Sequence, residues 1–141
     1  MYISLNKYPA DQIARLQNNT ARLVMKKEER RRDHVTPLRK ELHWLPVKFR
    51  CQYKIATAIL KSLPPYFYLS LCIYEPSRSL RSSNESLLKI PKRKLKSFGQ
   101  CSFSFMAPSL WNSLPATLKN VPILSLFKSH LKTFLFAQAF Q

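Results

Sequence analysis

The chain has 141 residues, one domain's worth, with 24 Lys and Arg against 7 Asp and Glu for a formal net charge of +17. No carboxylate side chain follows Glu85, the only aspartates are Asp11 and Asp33, and Gly99 is the lone glycine. These counts exclude a clustered-acid magnesium site after Glu85 and every glycine-rich phosphate loop, and they oppose two-metal nucleotidyl transfer and paired-carboxylate glycoside hydrolysis.

With 45% hydrophobic and 12% aromatic residues the chain reads as a folded basic body rather than a polybasic tail. Such a body suits an acidic partner, nucleic acid first and an anionic membrane surface second. The N-terminus lacks the charged and apolar regions of a signal peptide. Two glycosylation patterns, at Asn18 and Asn84, have no meaning without secretion. The expected location is nucleus or cytoplasm.

In chain order, residues 11–27 predict a helix with Asp11 as N-cap. Ile13, Leu16, Thr20 and Leu23 fall on one face, and Arg15, Arg22 and Lys26 on another. The run Lys26, Lys27, Glu28, Glu29, Arg30, Arg31 and Arg32 comes next. It reads as a solvated helix end, a nuclear import signal or a patch contacting phosphates. Thr36 and Pro37 read as an N-cap and first helical residue, and Leu38, Leu42 and Leu45 continue an apolar face. His43 beside Trp44 reads as packing rather than catalysis.

Pro46 opens the next predicted helix. Phe49, Tyr53, Ala56, Leu60 and Leu63 form a heptad-like seam, and Pro64-Pro65 ends it. Phe49 and Tyr53 at this spacing read as core rather than as base-stacking residues. The apolar run from Ile55 to Tyr74 is interrupted by Lys61 and the two prolines, so no transmembrane segment is expected. Residues 75–86, rich in Ser and containing Arg78 and Arg81, read as a linker in which the arginines are solvated or contact phosphate.

Leu88 and Ile90 alternate with Lys89, predicting one or two short strands within 87–98 and a turn near Pro91. Lys89, Lys92, Arg93, Lys94 and Lys96 crowd this segment with no acid beside them. They form the best local nucleic-acid candidate in the chain. Residues 102–111 begin as strand or pass directly into helix, and Pro108, Pro115 and Pro122 chop this part of the chain into short pieces. A last helix is predicted over 123–137, with Leu124, Phe127, Leu131 and Phe134 inside and Lys128 and Lys132 outside. Cys51, Cys72 and Cys101, with His34, His43 and His130, lack zinc-ligand spacing, and three cysteines suggest thiols in a reducing compartment.

Ten phrases stand in one order: RLQ (15–17), ARLV (21–24), DHVTP (33–37), LHWLPV (42–47), YK (53–54), PPY (64–66), PSRSLRSS (76–83), RKLKSFG (93–99), APSLWNSLP (107–115) and FKSHLKTFLF (127–136). Together they resemble the C-terminal region, after palm and thumb, of the reverse transcriptase polyprotein of LINE-type non-LTR retrotransposons, in the chicken-repeat-like group. The resemblance spans roughly residues 5–140. It implies descent from an RNA-directed DNA polymerase polyprotein, but the aromatic-Ala-Asp-Asp box of that family's palm is absent, as is its endonuclease domain. Catalysis therefore carries over to no residue here. What carries over is a noncatalytic, basic region that helps to hold RNA or DNA.

The chain also departs from the family. About three residues are missing between Gln17 and Thr20, a turn of roughly 300° on a helix, and the segment before Pro64 is shortened. Both changes fit a decaying copy and bear on autonomous folding.

The expectation is a mainly α fold with a small β element (α+β), forming a partial domain. It comprises a helical basic segment (1–74), a Ser/Arg-rich linker (75–86) and short strands plus C-terminal helices (87–141). The expected activity is sequence-nonspecific binding to the RNA or DNA phosphate backbone, with no cofactor, metal or small-molecule substrate. The alternative is a basic interaction module, reused by the host, that binds protein or an anionic membrane surface.

Overall fold

The computed structural model describes residues 7–25, 34–60, 71–75, 87–92 and 102–141, although of 7–10 only the backbone. The fold is mainly α. The described helices are α1 (Lys7–Val24), α2 (Thr36–Glu41), α3 (Val47–Leu60), α4 (Phe103–Ser113), α5 (Ala116–Lys119) and α6 (Leu124–Ala139). The chain divides into two compact units, one of Met1–Ser4 and Lys54–Leu131, the other of Leu5–Tyr53 and Lys132–Gln141.

In the unit containing Leu5–Tyr53, α1 starts upstream of its expected cap, and Asp11 lies inside it. Pro9 falls in the first turn, where backbone N–H groups have no helical partner and a missing one costs little. The face expected to be buried points outward: Ile13, Leu16, Thr20 and Leu23 are all exposed. Gln17 and Ala21 are buried instead. Both sets recur every three to four residues, so periodicity alone could not choose between them. Ala21 is 0% exposed and α1 packs on α2. Gln17 Nε2 donates to the Leu45 carbonyl oxygen at 2.8 Å. That carbonyl lies in the loop between α2 and α3 and needs a donor once buried.

Helix α2 begins with Thr36 as its first helical residue and Val35 as N-cap, with no side-chain capping bond, so Thr36 is not the cap. Its end is a Schellman motif: His43 N–H donates to the Lys40 carbonyl (3.1 Å) and Trp44 N–H to that of Arg39 (2.8 Å). His43 carries the left-handed φ of 53° that this reversal requires. Its ring stacks on Phe136, with centroids 5.4 Å apart. The LHWLPV phrase is thus a helix stop that leads into α3, where Arg50 N–H bonds the Pro46 carbonyl.

Along α3 the expected seam is buried only in part, at Ala56. Ile55, Ala56 and Thr57 are buried, whereas Phe49, Tyr53 and Leu60 are only half-buried. Leu63 and the stop at Pro64-Pro65 lie outside the described residues.

In the unit containing Lys54–Leu131, Ser102 leads directly into α4, which continues through Pro108. Pro108 therefore does not divide the chain. A helix-interior proline costs about 3 kcal/mol, and here its ring is among the largest fully buried side chains, with Ala107 at 0% and Trp111 at 6% exposed beside it in sequence. Pro115 and Pro122 do separate helices, preceding α5 and α6. Trp111 and Phe127 meet with ring centroids 6.2 Å apart. Helix α6 buries Phe127 and Leu131 in this unit, and Leu135 in the other, while Leu124 and Phe134 are half-buried.

The expected strands reduce, among the described residues, to one antiparallel bridge between Ile73 and Leu88. The partner comes from upstream rather than from across a turn at Pro91. Residues 93–98 lie outside the described set.

Candidate nucleic-acid interface

Two of the predicted basic residues are described, Lys89 and Lys92, and both are exposed. Arg93, Lys94 and Lys96 lie outside the described residues. So do Arg78 and Arg81, and Lys26, Lys27, Arg30, Arg31 and Arg32.

The segment carrying Lys89 is pinned on both edges. On one side Tyr74 N–H donates to the Leu87 carbonyl and Lys89 N–H to the Cys72 carbonyl, each at 2.8 Å. These bonds flank the Ile73–Leu88 pair, so the N–H and C=O of Leu88 itself face the other way. There the Asn112 side chain takes both. Leu88 N–H donates to Asn112 Oδ1 at 2.9 Å, and Asn112 Nδ2 donates to the Leu88 carbonyl at 2.8 Å. One carboxamide thereby occupies the place a third strand would take, which is why the ladder grows no further on that side. Lys119 Nζ in turn donates to the Asn112 main-chain carbonyl at 3.3 Å.

The APSLWNSLP phrase is thus structural in most of its members. Ala107, Pro108, Trp111 and Leu114 are buried, and Asn112 holds the basic segment. Sequence reasoning missed Asn112, although a lone amide directly after the apolar Leu110-Trp111 pair is a signal for a polar partner.

The lysines are not set in a purely cationic surface. Ile73 is 70% exposed, Tyr74 44% and Ile90 43%. Tyr74 also escaped the sequence reading, where it serves only as the end of the apolar run from Ile55. Cys72 is exposed and Cys51 half-buried, both as thiols. Among the described residues no group of three His, Cys, Asp or Glu could hold a metal ion. None of the described helices is long and apolar enough to cross a membrane. No family model, curated protein or solved structure matches the chain.

Proposed function

We propose that the chain is a noncatalytic C-terminal fragment of a LINE-type non-LTR retrotransposon reverse transcriptase, binding RNA or DNA without sequence preference through its basic surface. The observation that carries the binding part is Lys89 and Lys92 standing exposed on a segment clamped by Asn112. A cation on a fixed backbone needs little ordering when it meets a phosphate, and each contact releases counterions from the nucleic acid. The net charge of +17 supplies the attraction at longer range. The ordered phrases, from LHWLPV to LWNSLP, support the descent. The absence of a paired-aspartate box supports the lack of catalysis, and primer extension with any template, metal and nucleotide mix is expected to yield no incorporation.

The test is a salt titration of binding. If four of Lys89, Lys92, Arg93, Lys94 and Lys96 touch phosphates, changing all five to Gln flattens the slope of log K against log salt by about 3. Affinity falls equally on unrelated sequences, since phosphate contacts position without reading bases. The same change at Lys26, Lys27, Arg30, Arg31 and Arg32 has a smaller effect, because Glu28 and Glu29 offset that run. The opposite ranking would move the interface to 26–32.

A second reading rests on the exposed aliphatic residues of α1. Ile13 (51%), Leu16 (65%), Leu23 (59%) and Val24 (53%) suit a basic module that docks on a protein or an anionic membrane. Slopes unchanged by both replacements, together with binding to anionic vesicles that the same replacements abolish, would favour it.

A further inference from the structure

The bridge fixes more than the lysines. In an antiparallel pair successive side chains alternate between the two faces, and residues opposite one another share a face. With Ile73 opposite Leu88, Tyr74 lies opposite Leu87 and Cys72 opposite Lys89. Tyr74 and Lys89 therefore share one face and are diagonal neighbours, about 7–8 Å apart along the backbone, within reach of an aromatic and a long side chain acting together. Both are exposed, as is Cys72, which lies opposite Lys89 on the same face. Among the described residues the Tyr74 ring and hydroxyl have no partner. A tyrosine 44% exposed as a residue, held on a bonded backbone next to an exposed ammonium, matches what an unpaired nucleotide offers: a flat base and a phosphate.

We infer that Tyr74 is a base-stacking platform which, with Lys89 holding the adjoining phosphate, directs this surface to single-stranded nucleic acid. The inference rests on the nucleic-acid reading above and adds the class of strand. A duplex keeps its bases stacked inside and presents only phosphates to this face. A single strand can lay one base on the ring, and because every base has a π-face the contact adds affinity without sequence preference.

The experiment uses the full chain and three probes of equal phosphate count: an unstructured oligouridine, an abasic strand and a duplex. Binding is read by fluorescence anisotropy at one salt concentration. The oligouridine is expected to bind about 10-fold more tightly than the abasic strand, within the range of one stacked base. Tyr74→Ala should remove that difference while leaving abasic and duplex binding unchanged, and Tyr74→Phe should retain it. Lys89→Gln should weaken all three probes and lower the salt slope on the single strands by about 0.7. Oligouridine should also slow maleimide labelling of Cys72 in the wild-type protein, and the abasic strand should protect it less.

If the chain binds all three probes but Tyr74→Ala leaves the oligouridine-to-abasic ratio unaltered, the stacking inference is overturned and the phosphate reading stands. If it binds none of them, the nucleic-acid reading itself falls. Circular dichroism of Tyr74→Ala, matching wild type, separates a lost platform from a lost fold.

Discussion

Helices α4 and α1 solve the same problem in opposite ways. In the unit of Lys54–Leu131, α4 buries what an apolar pattern says it should: Ala107, Pro108 and Trp111, with Trp111 against Phe127. The polar exception, Asn112, has both ends of its amide paired. In the unit of Leu5–Tyr53, α1 buries Gln17 and leaves Ile13, Leu16, Leu23 and Val24 exposed. Its amide is only half satisfied, since Gln17 Oε1 has no partner, and neither does the buried Asn18 Oδ1. A buried acceptor without a donor costs about 1–3 kcal/mol. Leaving a large aliphatic side chain in water forgoes about 1.5–3 kcal/mol of burial. A buried amide stabilises when both its ends are met; one met at a single end holds a position without contributing much.

That contrast predicts a gradient of mutational effects. The largest is in the well-matched unit: Phe127 is 0% exposed, and Phe127→Ala should cost about 3–5 kcal/mol in chemical denaturation. A loss below about 1 kcal/mol would mean that this core is not cooperatively packed. Next comes Asn112→Leu. It keeps the volume but strips two hydrogen bonds from Leu88, with an expected cost of about 1–3 kcal/mol. Hydrogen exchange should show Leu88 N–H losing protection before the α4 amides do, whereas simultaneous loss would make the clamp part of the global fold rather than a local pin.

In α1 the same kind of change should matter less. Gln17→Leu removes one bond to the Leu45 carbonyl and one orphan acceptor, and the unfolding free energy should change by no more than about 1 kcal/mol. Smallest of all is Leu16→Ser. At 65% exposure it should stay within about 0.5 kcal/mol. A cost of about 2 kcal/mol or more there would show that the aliphatic face of α1 is covered in solution.

Much of the fold was readable along the chain. Pro46 marks the entry to α3, and Phe127 and Leu131 mark the inner face of α6, because helix ends and apolar stripes depend on neighbours within a turn or two. Pro108 misled because its local cost is fixed while its compensation, complete burial of the ring, comes from elsewhere in the fold. Of the basic cluster, the sequence offered Lys89 and Lys92 as candidates by charge density alone, without the residues that hold or accompany them. Asn112 lies 24 positions from Leu88, and no local pattern encodes a pairing over that separation.

The helical class, the starts of α3 and α6 and the surplus of positive charge thus come from composition and short-range spacing. Which side of α1 turns inward was decided by tertiary structure, because Ile13-Leu16-Leu23 and Ala14-Gln17-Ala21 have the same period. The choice went to the face that carries the fully buried Ala21 and the amide that reaches the Leu45 carbonyl. Tertiary structure likewise paired Leu88 with Ile73 rather than across Pro91, and set Tyr74 beside Lys89. Period counts residues along one segment, whereas a partner's carbonyl or strand edge belongs to another, and burial satisfies both at once or leaves one unpaired.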